Sequence, residues 1–95
     1  MTLGKIPILL DKIRKEDIDK QILRTGMLAE LDAINLYEQM ANLTENNDLK
    51  QVLLDIAKEE KEHVGEFEYL LLELDKQQAE EMEDGKEEVK ELLGR

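Results

Sequence analysis

The chain has 95 residues, 24 of them acidic and 13 basic, for a formal net charge of −11. That length makes one small domain. The charge counts against nucleic acid, whose phosphates would be repelled, and favours cations, while the lack of cysteine and the single histidine exclude disulfides, thiolate zinc sites, cysteine nucleophiles and two-histidine zinc motifs.

Residues 1–14 form an apolar lead-in, Ile6-Pro7-Ile8-Leu9-Leu10, in which Pro7 blocks an early helix. The expectation is an arm that covers part of the bundle or a partner; the alternative is a mobile tail. Residues 15–43 read as the first long helix. Leu23, Gly26, Glu30, Ala33, Tyr37 and Met40 step by three and four, and Met27, Leu31, Ile34 and Ala41 broaden the stripe. Glu30 lies inside that stripe, flanked one turn either way by Gly26 and by Ala33 or Ile34, and small neighbours let another helix approach. The other reading puts Glu30 at the stripe's edge, in contact with water.

Thr44-Glu45-Asn46-Asn47-Asp48 breaks the period with residues that favour turns and helix N-caps. So short a loop makes the helices on either side antiparallel neighbours. The second helix is predicted over 48–82, about 50 Å long, with Gly85 as its left-handed stop. Its seam reads Leu53, Ile56, Glu60, His63, Phe67, Leu70 and Leu74. Leu70-Leu71-Leu72, with Leu74, is apolar around more than one face, as expected where chains meet or where the termini cover the helix. A short third helix is predicted over 86–93, with Val89, Leu92 and Leu93 on one side. The acid-rich stretch 80–91 reads as a solvated helix end. No apolar run approaches the roughly 18 residues of a membrane span, and no signal peptide is recognisable, so a cytoplasmic protein is expected.

Glu60 and His63, three residues apart, share a helix face. They interrupt the apolar seam, where polar groups need partners. Glutamate is so abundant here that Glu-x-x-His alone is a weak signal, and a hydrogen-bonded core or boundary histidine is the plain alternative. Two helices alone do not enclose a core. Ferritin-like carboxylate bundles build a di-metal site from four helices, two giving one Glu each and two giving Glu-x-x-His. This chain carries half of that set, Glu30 on one helix and Glu60 with His63 on the other. Two copies about a two-fold axis would complete both the ligands and the core. The expected fold is therefore all-α: an antiparallel two-helix hairpin plus a short C-terminal helix, completing a ferritin-like four-helix bundle by dimerisation. Oxygen-rich ligands with one imidazole per metal suit iron or manganese, with zinc or calcium as further surrogates. Glu60 of each chain would bridge a di-iron centre, and Glu30 and His63 would cap each iron.

Ala29-Glu30-Leu31-Asp32-Ala33-Ile34-Asn35-Leu36-Tyr37-Glu38-Gln39-Met40-Ala41, with Glu59-Glu60-Lys61-Glu62-His63-Val64-Gly65-Glu66-Phe67, resembles the encapsulated ferritins, most of all the archaeal kind fused to an encapsulin shell protein. The likeness covers about 22–75, and residues 85–94 resemble the segment where fused forms lead into the shell. The resemblance implies a ferroxidase, assembled as a ring of dimers, that feeds ferric mineral into an encapsulin nanocompartment in the cytoplasm. It implies Glu30, Glu60 and His63 as ligands, and Tyr37 matches a tyrosine beside the centre; a core aromatic is the alternative for Tyr37. Many bacterial members have an acid and a tryptophan where this chain has Ala29 and Leu36. Asp32 retains an acid, so an iron uptake site stays open. Ending at Arg95 without a shell domain, the chain reads as a stand-alone cargo or as a domain excised from a fusion. The competing function is a non-enzymatic oligomerisation scaffold whose polar core fixes register. A non-redox cation buffer ranks behind it, because no calcium-loop pattern is present.

Overall fold

The computed structural model describes residues 13–95, and among them it is all helix. A single 3-10 turn, Lys15–Asp17, leads into α1, Ile18–Leu43. Then come α2, Asn47–Leu74, and α3, Lys76–Leu93. The predicted arm over 1–14 lies almost wholly outside the described residues.

The turn chemistry read from the sequence operates at the α1–α2 connection. Asn46 caps α2, its Oδ1 accepting from the Leu49 N–H at 3.0 Å. Thr44 Oγ1 accepts from the Asn46 N–H at 3.1 Å. With the connection reduced to three residues, α2 folds straight back along α1. Gly26 meets Phe67, Glu30 meets His63, and Glu38 meets Lys61 at 3.3 Å: positions rise on one helix as they fall on the other.

The buried core of this hairpin is thin: Leu23, Ile34 and Ala41 from α1, Leu53, Ala57 and Leu71 from α2. Ala41 and Ala57, each 2% exposed, leave no side-chain bulk between the backbones. Exposed large hydrophobics outnumber these buried ones among the described residues. The seam read on the second helix is in fact two neighbouring stripes. Leu53, Ala57 and Leu71 face α1. Leu49, Val52, Leu70 and Leu74 stay about half exposed, on the side that carries His63. Leu70 and Leu74 are thus not core residues of the single chain. Apolar surface on this scale, among the described residues, is of the kind that marks an interaction site.

The second helix does not run over 48–82, and the third is not confined to 86–93. α2 stops at Leu74 and α3 begins at Lys76. Asp75, at φ −123 and ψ 89, leaves the helical path and caps the next helix, its Oδ1 accepting from the Gln78 N–H at 2.9 Å. Its Oδ2 accepts from Arg24 Nη2 of α1 at 2.6 Å, and Arg24 Nε donates to Gln78 Oε1 at 2.9 Å. An aspartate offered both a cap and a cation favours the break over an unbroken helix. Gly85 lies inside α3, so it is not the stop. The left-handed terminus is Gly94, at φ 72. α3 has no buried residue. No described helix is long and apolar enough to cross a membrane.

Candidate metal centre

Antiparallel packing brings Glu30 of α1 level with Glu60 and His63 of α2. His63 Nδ1 lies 3.5 Å from Glu30 Oε2 and 3.5 Å from Glu60 Oε2. One ligand atom from each of the three lies within 4.8 Å of the others. Those distances are too long for good N–H···O hydrogen bonds, which run at about 2.7–3.2 Å. The imidazole therefore sits between two carboxylates without closing a bond to either.

The surroundings sharpen this. The Glu30 side chain is 21% exposed and that of Glu60 19%, against 45% for His63. Glu30 Oε2 is buried and has no hydrogen-bond partner. A buried, unsatisfied carboxylate oxygen is costly, about 1–3 kcal/mol or more when charged. A cation held among the three side chains would satisfy that oxygen and offset the repulsion of the two carboxylates. Two carboxylates and one imidazole form a hard, oxygen-rich donor set of the kind that suits iron or manganese.

Next to the pair, one turn along each helix, lies a second cross-helix contact. A Cβ at Gly26 would stand 3.1 Å from Phe67 Cε2 and Cζ. Glycine within a helix costs roughly 1 kcal/mol relative to alanine, and here it gives the phenyl ring its seat. The ring, with Glu30, His63 and Glu66, lines an open recess beside the cluster. Glu66 is not among the residues expected at the site; its spacing, three residues beyond His63, is its one sequence signal. The Gly26–Phe67 contact had no signal, because it joins two helices.

The remaining candidates stand apart from the cluster. Tyr37 is half-buried, seven residues beyond Glu30 and so about 10 Å along α1. Asp32, also half-buried, is two residues from Glu30 and points around to another side of the helix.

Comparison with known proteins agrees with this architecture. The family model described as EncFtn-like matches residues 8–93. The chain is 58% identical over 80 residues to a ferritin-like-encapsulin shell fusion protein of Pyrococcus furiosus, covering 84% of this chain and 23% of that protein. It is 44% identical over 57 residues to the encapsulin nanocompartment cargo protein EncC of Myxococcus xanthus, covering 60% of this chain and 44% of that one. It thus spans less than half the length of either relative. Among solved structures it superimposes on the encapsulated ferritin domain from Pyrococcus furiosus with a TM-score of 0.83 and 51% identity, over 99% of this chain and 98% of that one.

Proposed function

The chain belongs to the EncFtn-like family, and from that premise we propose that it is a ferroxidase whose site is shared between two chains. The substrate is ferrous iron. Glu30, Glu60 and His63 bind it, and each ion gives up one electron to dioxygen or peroxide to become ferric. Carboxylate oxygens suit that step because they stabilise the higher charge. The observation that carries the reading is Glu30 Oε2: a buried carboxylate oxygen with no hydrogen-bond partner among the described residues, beside a histidine and a second carboxylate, on a face of the hairpin with exposed apolar side chains.

That face argues for a second copy. A two-fold contact is self-complementary, so one partner would cover Leu49, Val52, Leu70 and Leu74 while doubling the ligand set to four glutamates and two histidines. The Glu60 carboxylates, with Glu30 and His63 of each chain, would hold the two ions of a di-iron centre. Tyr37 would approach only from across the interface, and Asp32 would serve at most on the ion's way in. Further apolar surface, including Leu28, Leu31 and Tyr69, supports a larger ring of dimers. The relatives named as a shell fusion and a nanocompartment cargo support a place inside an encapsulin nanocompartment in the cytoplasm, with iron storage or detoxification as the outcome.

The test is aerobic loading with ferrous iron, followed by metal analysis and stopped-flow oxidation. About one iron per chain, with oxidation faster than in buffer, is expected. No bound metal and no rate enhancement would overturn the ferroxidase and leave a helical scaffold.

A further inference from the structure

Phe67 and Gly26 have no part in the ligand set, yet they form the layer against it. Phe67 is one turn beyond His63 on the same side of α2, and Gly26 is one turn before Glu30 on α1. The ring occupies the space a Cβ at position 26 would need: such a Cβ would stand 3.1, 3.1 and 3.3 Å from three of its carbons. Seated there, it shares the recess with Glu30 and His63. A phenyl edge offers no lone pair and no hydrogen bond to water. On that side of the pair, the chain presents the hydrocarbon ring, with the Glu66 carboxylate beside it, to any ion that Glu30 and His63 hold.

We propose that Phe67, seated on Gly26, is a positioning residue for the metal centre: it braces the His63 imidazole and limits how many waters share the bound ion. The inference rests on the metal-binding reading above. The apolar layer around a metal site governs its solvent access and dielectric, while outer-shell groups that orient the ligands are commonly worth about 10–100-fold in affinity. Oxidation of a bound ion depends on which positions water holds, so the ring would tune the site without touching the metal.

The prediction concerns two residues on different helices that must act alike. Phe67→Ala removes the wall. Gly26→Ala keeps the ring but displaces it, because its added methyl would lie inside contact distance of the phenyl carbons. The full chain is titrated with Co2+ and, separately, with Mn2+. Wild type binds both. In either variant Co2+ affinity should fall about tenfold, the visible Co2+ bands should weaken as coordination number rises, and water-proton relaxivity of the Mn2+ form should increase. Phe67→Leu, which refills part of the wall and keeps the helix apolar, should recover most of the wild-type signal. Phe67→Ala and Gly26→Ala proteins of native helicity with wild-type Co2+ spectra and Mn2+ relaxivity would overturn the proposal while leaving the metal site standing. Should Phe67→Ala fail to fold, Gly26→Ala against Phe67→Leu decides by the same readouts. Failure of the wild type to bind either ion would overturn the metal reading itself, and this inference with it.

Discussion

Arg24 reaches from the first helix to Asp75, 2.6 Å between Nη2 and Oδ2, at the residue where the second long helix breaks. The guanidinium also binds Gln78 Oε1, so a single side chain holds both the end of α2 and the start of α3. Asp75 is simultaneously a helix cap and an ion-pair partner. Losing the cap alone typically costs about 1 kcal/mol. Asp75→Ala should therefore lower the melting temperature by several degrees while far-UV helicity stays the same or rises as α2 and α3 merge. Circular dichroism checks both. A clear loss of helicity with no change in melting temperature would contradict this role.

The same joint should respond to acid. The Gln78 N–H holds the Asp75 carboxyl below its ordinary value; burial opposes this, and Lys20 and Arg24 add to the lowering. A depressed carboxylate contributes stability that is fully present above its unfolded pKa, about 3.9. The contribution fades as pH falls through the lower folded value. Comparing thermal melts of wild type and Asp75→Asn between pH 6 and 2 isolates it, since asparagine can cap but does not ionise. The two proteins should differ most above about pH 4 and converge below. A constant gap at every pH would remove the carboxylate from the explanation.

Glu30→Gln should separate stability from metal binding. The amide keeps the shape, removes a charge from beside Glu60, and gives the buried oxygen position a donor. We expect the metal-free protein to gain about 1 kcal/mol and to lose most of its ferrous binding. Chemical denaturation and isothermal titration are the two measurements. His63→Ala and Glu60→Ala should likewise abolish rapid iron oxidation without loss of helicity, and an unchanged rate in either would falsify the ligand assignment.

Two adjacent leucines should behave in opposite ways. Leu71 is 0% exposed and Leu70 52%. Leu71→Ala should destabilise the hairpin at every protein concentration, by about 2–5 kcal/mol. Leu70→Glu leaves the hairpin's own core intact and should act through association, lowering the apparent melting temperature and shifting the protein to smaller species. Native mass spectrometry and melts over a dilution series read this out. A concentration-independent melting temperature in the wild type would argue that the open face needs no partner.

The first helix, the turn over 44–48 and the placing of Glu30, Glu60 and His63 on facing sides were legible because each is written in local spacing. Periods of three and four fix helix faces, and an asparagine before a run of helix formers fixes a start. What escaped depends on neighbours distant in sequence. The break at Asp75 has a local signal, a capping residue three before Gln78, but what secures it is Arg24, 51 residues earlier, and Gly85 offers a stop signal of its own. The two stripes of α2 were read as one because both are apolar at similar spacing, and only the position of α1 divides them. Gly26 reads as a small residue that lets another helix approach; that helix is α2, and the group that fills the space is the Phe67 ring.

The three-residue connection bears on how the protein comes into being. A hairpin closed by so short a link makes its contacts early and locally, and such topologies form in microseconds to milliseconds. Speed does not bring permanence here, because the core formed is thin and one flank stays wet. On the two-chain proposal, a newly made chain would cycle between helical and frayed until it meets another. Its lifetime against proteases would depend on how many copies are present nearby. Abundance, more than sequence, would then set the pace at which a working centre matures, and synthesis of many copies in one place would be an advantage in its own right.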